Sequence, residues 1–251
     1  FVLTDQGEIL IYSATSNGKV IMNVGKHVDQ IKMGPGGDSL ILNSNKNKTV
    51  QIIVLDFIQN INISGSPYKG SDDAPVVVAV FDDFQWQYCA RLVPVLEQVL
   101  EKYPKEVKIV LKNFPLNNHK FAKKAAAAAL AAESQGKFWE FYDLLFENYN
   151  RLNDRKIRKI AIELGLDMVK FDEKIKDPLI QERISQDLWD GNSADVRGTP
   201  TVFINGKRLR DRTLPGFQKV IDMELQKQGR KAAKPAFWRR SQLIQLSGTC
   251  I

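Results

Sequence analysis

The chain contains 251 residues, of which 43% are hydrophobic and 26% are charged. These proportions are typical of globular proteins and exclude collagens, coiled coils and wholly disordered chains. No apolar run approaches the ~20 residues of a membrane-spanning helix, so we predict no integral membrane segment. The net charge is +7, but residues 225–251 hold six bases and no acid, which leaves 30 bases and 29 acids elsewhere. Because nucleic-acid-binding proteins usually carry their bases on a folded face, we predict no nucleic-acid partner.

Residues 1–64 are predicted to form an antiparallel β meander. Short runs rich in β-branched residues recur there, and they are Glu8–Ser13, Lys19–Val24, Val28–Met33, Ser39–Asn43 and Val50–Phe57. The dipeptide Asn17-Gly18 between the first two runs is a strong hairpin signal, because a type I′ turn needs positive φ at both central residues.

A weak internal repeat lies within this meander. The segment I-L-I-Y-S, which ends at Ser13, matches I-I-V-L-D, which ends at Asp56, at an offset of 43 residues. A period of about 40 to 45 residues resembles the blades of WD40-like or quinoprotein-like β-propellers. Because a propeller needs at least about four blades, other chains supply the neighbouring blades, or the chain is a fragment, or the meander packs on the next domain. A β-sheet extension unrelated to propellers is the alternative interpretation.

The pattern changes after residues 65–75, a segment rich in Gly, Ser, Asp and Pro that we interpret as a linker. Val76–Phe81 and Val107–Leu111 are continuous apolar runs, which are typical of buried strands. Arg91–Tyr103, between them, has the spacing of a helix. This order predicts a β-α-β unit with parallel strands.

The remainder is mainly helical up to a final β-β-α unit. Helical spacing fills about residues 119–190, and a hairpin that begins at Thr201–Ile204 is followed by a helix from Leu214 to about Gln228. We therefore predict an α/β domain over residues 76–228 with a helical insertion, followed by a basic tail at residues 229–251.

Three stretches of this domain resemble DsbA-like thiol-disulfide oxidoreductases. They are F-D-D-F-Q-W-Q-Y-C-A-R-L (Phe81–Leu92), the Ala-rich and aromatic segment Phe121–Phe146, and R-G-T-P-T-V-F-I-N-G-K (Arg197–Lys207). The resemblance spans about residues 72–228. It implies a thioredoxin fold with an inserted helical subdomain and thiol-disulfide exchange as the family activity. It also implies a polypeptide substrate or client and a periplasmic or otherwise extracytoplasmic location.

The motif at the start of the first helix departs from this family. The family has C-x-x-C there, whereas this chain has W-Q-Y-C, with Trp86 where the attacking cysteine stands and Gln87 in place of a proline. Tyr88 and Cys89 match the family, and Cys89 stands where the family has the resolving cysteine. A thiol at a helix N-terminus is favoured as thiolate by unpaired N–H groups and the helix dipole. Because Trp86 has no such atom, we predict impaired redox activity.

Cys89 is the remaining thiol of the motif and the candidate catalytic residue of an alternative function. In that alternative the chain is an active oxidoreductase that uses Cys89 as a single thiol, with glutathione or Cys250 as its counterpart. Cys89 lies about one turn into the helix, where burial disfavours the thiolate. A small buried apolar residue is the competing interpretation of Cys89.

The remaining candidate site residues concern binding. By resemblance, the Thr199–Pro200 bond is cis and exposes backbone groups that pair with the main chain of an extended polypeptide. A structural turn is the alternative. Trp86 either covers the former redox surface or anchors a bound peptide.

Other titratable residues near the motif have simpler interpretations. Asp82 and Asp83 end the first buried strand and are expected to cap the helix or to be solvated. His119 is expected to be a capping or surface residue. With two cysteines and two histidines in the chain, we predict no metal site and no cofactor.

These observations lead to one prediction and two alternatives. We predict a DsbA-like protein with a degenerate motif that is redox-impaired and binds extended polypeptide near Pro200. The first alternative is the oxidoreductase that uses Cys89. The second is an assembly module that forms a homo-oligomer through residues 1–64.

Overall fold

The computed structural model describes residues 1–12, 19–35, 37, 39–232 and 245–248. Two compact units are present, one built from Phe1–Ile58 and the C-terminal strand, the other beginning at Gln59. In the part of the chain that is described, no helix is both long and apolar enough to cross a membrane. The predicted Asn17-Gly18 turn and Cys250 lie outside the described residues.

Most described strands and helices follow the order that the sequence predicted. The strands that it did not predict are Val2–Leu3, Gln245–Gly248 and Tyr68–Gly70, and the last of these lies within the predicted linker. The strands are β1 (Val2–Leu3), β2 (Glu8–Tyr12), β3 (Lys19–Asn23), β4 (Gln30–Met33), β5 (Ser39–Ser44), β6 (Thr49–Asp56), β7 (Tyr68–Gly70), β8 (Val76–Asp82), β9 (Val107–Asn113), β10 (Thr201–Ile204), β11 (Lys207–Arg208) and β12 (Gln245–Gly248). The α-helices are α1 (Gln87–Lys102), α2 (Ala122–Glu133), α3 (Phe138–Glu147), α4 (Asp154–Glu163), α5 (Met168–Lys174), α6 (Pro178–Ser193) and α7 (Leu214–Ala232).

The first unit consists of two small antiparallel sheets. Strands β1, β2 and β3 form one sheet, and β4, β5, β6 and β12 form the other. Side chains alternate along each strand, so one apolar face of each sheet reaches a common core that includes Ile9, Ile11, Leu40, Leu42 and Leu55. The predicted antiparallel meander is therefore present.

The resemblance to β-propeller blades is not supported by these small sheets. A propeller blade is a four-stranded sheet, and a blade repeat supplies its strands consecutively. Here β1, β2 and β3 form a separate three-stranded sheet, and the second sheet takes its fourth strand from β12, near the end of the chain.

The second unit is built on a mixed sheet of five strands in the order β11-β10-β8-β9-β7. Strands β8 and β9 are parallel, with Asp82 opposite Asn113, and β10 and β7 run antiparallel to their neighbours. Val76, Val78 and Val80 in the central strand are fully buried. Burial on both faces explains why β8 is a continuous apolar run. The α/β fold class predicted from the sequence is confirmed.

Helix α1 connects the two parallel strands and presents one apolar face to the protein interior. Its buried residues are Cys89, Leu92, Leu96 and Val99, a spacing of three and four that places them on one side of a helix. The helix begins at Gln87, four residues earlier than the apolar spacing predicted. The first helical turn therefore contains the W-Q-Y-C motif.

The helical insertion, α2 to α6, lies in the chain between β9 and β10. Eight of the twelve residues of helix α2 are buried alanines, and the helix packs with an aromatic group on α3 that includes Phe138, Phe141 and Tyr142. Helix α6 approaches the sheet at Gly191, where an added Cβ would lie 2.6 Å from the ring of Phe114. The small residue at this position allows close contact between α6 and the sheet.

Part of the predicted tail has regular structure. Helix α7 continues to Ala232, and β12 pairs antiparallel with β6, with Leu246 opposite Leu55. The predicted tail therefore contributes to a sheet of the first unit.

Candidate functional site

Trp86 is the N-cap residue of α1. Its backbone is extended, with φ −94° and ψ 121°, and its side chain makes no capping hydrogen bond. The backbone carbonyl of Trp86 accepts the N–H groups of Cys89 and Ala90 at 3.0 and 3.1 Å. The first turn contains no acidic residue. The position at which the resemblance expects the attacking cysteine therefore holds an indole at the positive end of a helix.

The Trp86 ring lies between two other rings. Its centroid is 5.1 Å from that of Tyr88 and 5.3 Å from that of His119. Trp86 is partly buried and packs against the core that includes Phe84 and Cys89. Tyr88 is half exposed, and Gln87 is half-buried. The indole thus both covers the core and forms part of the surface.

Cys89 is fully buried. The Asp83 backbone N–H donates to its Sγ at 3.5 Å. Burial, followed by the negative charge of Asp82, raises the pKa of the Cys89 thiol far above its usual value. The Thr199 side chain lowers that pKa, but burial dominates. The sulfur is therefore held as a thiol, which is not the nucleophilic form.

Asp82 lies beside this thiol and is also buried, with 2% of its surface exposed. Burial raises the pKa of the Asp82 carboxyl to about 7, although hydrogen bonds with Cys89 and Tyr142 oppose the rise. The Tyr142 hydroxyl donates to Asp82 Oδ2 at 3.4 Å. In the described part of the chain, Asp82 Oδ1 has no hydrogen-bond partner. This residue was expected to be a cap or a solvated acid, and that prediction is wrong.

Asp83 has a different environment from Asp82, although the two residues are adjacent in the chain. One carboxylate oxygen accepts the Gln85 N–H at 2.7 Å, and the other accepts the Leu116 N–H at 2.7 Å and lies 2.9 Å from His119 Nδ1. Asp83 is 1% exposed and the His119 side chain is 14% exposed. The expectation of solvated or surface residues is therefore wrong for both. Asp83 instead joins the loop before α1 to the loop after β9.

Thr199 and Pro200 precede β10, and the peptide bond between them is cis. Thr199 is buried, and its Oγ1 makes no hydrogen bond to a described residue, but it lies close enough to lower the pKa of the Cys89 thiol. Arg212 donates to the Pro200 carbonyl at 2.9 Å. Neither the N–H nor the C=O of Thr199 makes a backbone hydrogen bond to another described residue. Thr199 and Trp86 thus each lie near Cys89.

A family model described as Thioredoxin matches residues 63–223. This stretch is more than half of the chain, and it contains the five-stranded sheet, the helical insertion and the W-Q-Y-C motif. The chain belongs to the thioredoxin family. Its membership agrees with the thioredoxin fold and the helical insertion that the sequence predicted.

The curated relatives of this thioredoxin-family chain are named as antiporters. The chain is 35% identical over 156 residues to "Na(+)/H(+) antiporter NhaA 3" of Salinispora tropica. It is 31% identical over 159 residues to "Na(+)/H(+) antiporter NhaA 1" of Mycolicibacterium gilvum. Each match covers 62% of this chain but only 24% and 26% of the relative. The chain thus spans about a quarter of the length of these relatives.

Solved structures share the thioredoxin fold over most of their own length. BdbD from Bacillus subtilis superimposes with a TM-score of 0.60 and 20% identity, over 68% of this chain and 98% of that one. A thioredoxin-like oxidoreductase from Silicibacter pomeroyi gives 0.59 and 24%, over 65% and 94%. The thiol-disulfide exchange protein alpha-DsbA2 from Wolbachia pipientis gives 0.57 and 23%, over 64% and 87%. This chain therefore has the fold of DsbA-like proteins.

Sequence reasoning missed a buried ion cluster next to the thioredoxin-family site. Lys112 Nζ lies 2.6 Å from Asp187 Oδ1 and 2.7 Å from Asp190 Oδ2, and it donates to the Asn62 carbonyl at 2.8 Å. The backbone and side-chain amides of Asn113 both donate to Asp187 Oδ2 at 2.9 Å. Polar residues at the end of a buried strand and acids three positions apart on a helix were the available signals. Among the described residues, no group of side chains is arranged to hold a metal ion.

Proposed function

We propose that this chain is a DsbA-like member of the thioredoxin family that does not catalyse thiol-disulfide exchange and binds extended polypeptide beside Trp86 and Thr199. The position of the sulfur is the observation that carries the proposal. Cys89 is fully buried, and an indole occupies the position of the attacking cysteine in the family.

The redox part of the proposal follows from the requirements of exchange. A thiolate must reach a substrate disulfide, and a second thiol must resolve the mixed disulfide. The pKa of Cys89 is raised by burial and by Asp82, so thiolate is scarce at neutral pH. Within the described residues Cys89 is the one free cysteine. The described residues therefore provide one buried thiol, and they lack both an accessible attacking thiolate and a second thiol to pair with it.

The binding part of the proposal depends on groups that remain without the thiol. The Thr199 N–H and C=O make no backbone hydrogen bond to a described residue, and an extended peptide can pair with such groups as an added strand. Tyr88, which is 50% exposed, and the partly buried Trp86 lie on the same side of the motif. Aromatic rings of this kind are common anchors in peptide interfaces.

We also propose an extracytoplasmic location. One structure with a TM-score of 0.57 is named as a periplasmic thioredoxin-like protein from Salmonella enterica, at 24% identity. The antiporters that match this chain are about four times longer than the matched part. Ion transport is therefore not part of the proposal for these 251 residues.

Turnover assays test the redox part. In insulin reduction and in dithiol oxidation, we expect the chain to match the uncatalysed rate. The double variant Trp86→Cys/Gln87→Pro places an exposed thiol at the helix N-terminus, and we expect it to gain turnover. Trp189→Cys is the matched control, because Trp189 is 65% exposed on α6 and its replacement adds a thiol elsewhere. Turnover by the unchanged chain contradicts the proposal.

Peptide titration tests the binding part. Fluorescein-labelled extended peptides of about 12 residues without cysteine are titrated with the full chain, and anisotropy reports binding. We expect saturable binding that weakens at least about tenfold in Tyr88→Ala, because truncating an aromatic anchor costs about 2 kcal/mol or more and about 1.4 kcal/mol corresponds to tenfold. Trp189→Ala serves as the control. Equal binding by both variants contradicts a site at Tyr88.

Self-association through the first unit is a second candidate function. It is favoured by exposed apolar side chains on the outer faces of the two small sheets, including Ile21, Val50 and Ile52. Large exposed apolar patches commonly mark interaction sites. Sedimentation of the full chain at micromolar concentration tests this candidate. A monomer at this concentration rules it out. If the chain is oligomeric, Ile52→Lys should dissociate it, and an oligomer that this variant does not change rules out association through the outer face of this sheet.

A further inference from the structure

We infer that the polypeptide bound at the Trp86 surface carries acidic side chains. This inference depends on the proposed function, since it specifies the chemistry of the partner at the same site. It is carried by the arrangement of charges and rings around Trp86. None of the family resemblances described above specifies the charge of a partner.

Three segments of the chain meet at Trp86. Residues 84–96 contain the motif, and residues 114–132 contact it through His119 and through the Phe121 N–H, which donates to Gln85 Oε1. Residues 196–200 lie close to the motif at Thr199, which makes no hydrogen bond to Cys89 but lowers the pKa of its thiol. The Trp86 surface is defined here as the exposed part of these three segments.

Basic residues outnumber free acids at the Trp86 surface. Its three segments contain Arg91, Lys120, Lys123, Lys124 and Arg197 and no acid. Of the acids that directly flank them, Asp83 is buried against His119, Glu133 pairs with Arg183, and Glu97 lies further along α1. Acidic residues from neighbouring segments pair with two of the basic residues, namely Lys124 with Asp154 and Arg197 with Asp195.

The other three cations are available to a partner. Arg91, Lys120 and Lys123 are exposed. None of the ion pairs between described residues includes them. An acidic partner can therefore pair with these three cations without breaking an existing ion pair.

The cations lie next to aromatic rings. The Arg91 guanidinium lies 5.4 Å from the centroid of the Tyr88 ring, and the Lys120 and Lys124 ammonium groups lie 5.3 and 5.8 Å from that of Phe121. Cation–π contacts hold such groups near the surface. A peptide carboxylate can accept hydrogen bonds from them while neighbouring apolar groups of the peptide cover the rings.

The excess of positive charge is confined to the N-terminal end of α1. Further along the helix, Glu97 and Asp143 line a small apolar pocket together with Lys69. Burial is the main cause that raises the pKa of Asp143, Lys69 lowers it, and the charges of Glu97, Glu147 and Glu140 raise it further. An acidic peptide is repelled there and attracted at the Trp86 surface. Electrostatic complementarity of this kind selects both partner and orientation.

A peptide fits this surface better than single-stranded nucleic acid does. Base stacking needs open ring faces, but Trp86 already contacts Tyr88 and His119, and Phe121 is adjacent to two ammonium groups. The Thr199 N–H and C=O, which make no backbone hydrogen bond to another described residue, match the alternating donors and acceptors of a peptide main chain. A phosphodiester backbone has no donor for the carbonyl.

Three matched peptides test the inference with the full chain. They share the same apolar and aromatic residues and carry glutamate, glutamine or lysine at alternate positions. We expect the glutamate peptide to bind at least about tenfold more tightly than the glutamine peptide at low salt, and this ratio to shrink as salt screens the charges. The lysine peptide is expected to bind most weakly. A 12-residue oligothymidylate is titrated in parallel.

Charge variants locate the effect. The triple variant Arg91→Gln/Lys120→Gln/Lys123→Gln removes only exposed cations, and we expect it to bring the glutamate and glutamine peptides within about twofold of each other. Lys102→Gln, at the opposite end of α1, is the matched control and is expected to retain the ratio. Loss of the ratio in the control instead of the triple variant overturns the inference.

The outcomes separate the inference from the proposed function. If the three peptides bind equally well, the inference fails while polypeptide binding stands. If no peptide binds, both fail. If the oligothymidylate binds more tightly than the glutamate peptide, the surface is a nucleic-acid site and the inference fails.

Discussion

Two buried carboxylate clusters lie on adjacent strands of the central sheet, and they differ in whether a cation is present. Asp82 ends β8 beside Cys89, and no basic side chain contributes to its pKa. Asp187 and Asp190 on α6 surround Lys112 at the end of β9, with nitrogen–oxygen distances of 2.6 and 2.7 Å. Both clusters are almost completely excluded from solvent.

The difference shows how similar burial produces opposite chemistry. A carboxylate near a buried ammonium group is compensated, so Lys112 offsets the cost of burying Asp187 and Asp190 where α6 meets the sheet. Asp82 lacks such a partner, and its pKa rises to about 7. When Asp82 is charged, it also disfavours ionisation of Cys89. The buried environment of Asp82 and Cys89 therefore disfavours a thiolate.

The largest expected effect is on the compensated cluster. Lys112→Met removes the ammonium group and leaves the Asp187 and Asp190 carboxylates buried without a cation. Breaking a buried ion pair by removing one partner costs about 3 to 5 kcal/mol. Urea unfolding of the variant should show a loss of this size in the free energy of unfolding.

An exposed ion pair provides the control for Lys112. Lys124 and Asp154 form a pair at 2.8 Å with side chains 57% and 68% exposed. Exposed pairs contribute about 0 to 1 kcal/mol, so Lys124→Met should have little effect. Equal losses in the free energy of unfolding for Lys112→Met and Lys124→Met would contradict a larger role for the buried ion pair.

The second prediction concerns the uncompensated carboxyl. Burial raises the pKa of Asp82 from 3.8 to about 7, so above pH 4 the folded chain holds a proton that the unfolded chain releases. The associated stability is fully present below about pH 4 and is lost as the pH rises to about 7, by about 4 kcal/mol at most. Asp82→Asn should remove this loss and stabilise the chain by about 3 kcal/mol at pH 8.

The pH dependence distinguishes this effect from a general change in packing. Asp82→Asn should have almost no effect at pH 4, where the native carboxyl is neutral. Free energies of unfolding of both proteins, measured from pH 4 to pH 8, should converge at the acidic end. A constant difference across that range contradicts a titrating Asp82.

The smallest effect is expected at the thiol. Cys89 is fully buried among apolar residues, and Cys89→Ala removes one atom from a packed core. We expect a loss of about 1 to 2 kcal/mol, which corresponds to the cavity and to the lost contacts. Peptide binding at the Trp86 surface should be unchanged, and a tenfold loss of binding would assign the thiol to the binding site.

The sequence predicted the fold better than it predicted the site. Apolar runs such as Val76–Phe81 identify buried strands because burial on both faces removes alternation, and Asp82 and Asn113 are paired in the resulting sheet. Asp82 and Asp83 were predicted to cap the helix or to be solvated, and His119 to be a capping or surface residue, since acids and histidines are usually exposed. In the folded chain Asp82 accepts from the Tyr142 hydroxyl and Asp83 from the Leu116 N–H, and these partners are distant from the two acids in the chain.

Long-range pairing also explains the other differences. Lys112 meets Asp187 across 75 positions, and β12 joins a sheet of the first unit from the far end of the chain. Local propensity and periodicity do not encode such partners. The periodic apolar segments of residues 1–64 predicted strands correctly, but not which strands share a sheet.

Reaction of the Cys89 thiol in the folded chain tests the central claim most directly. In a Cys250→Ser variant, a thiol reagent at pH 8 reports Cys89 alone. We expect no reaction in native buffer over the time in which free cysteine reacts completely, and one thiol per chain after unfolding in denaturant. Rapid reaction of Cys89 in native buffer contradicts the account.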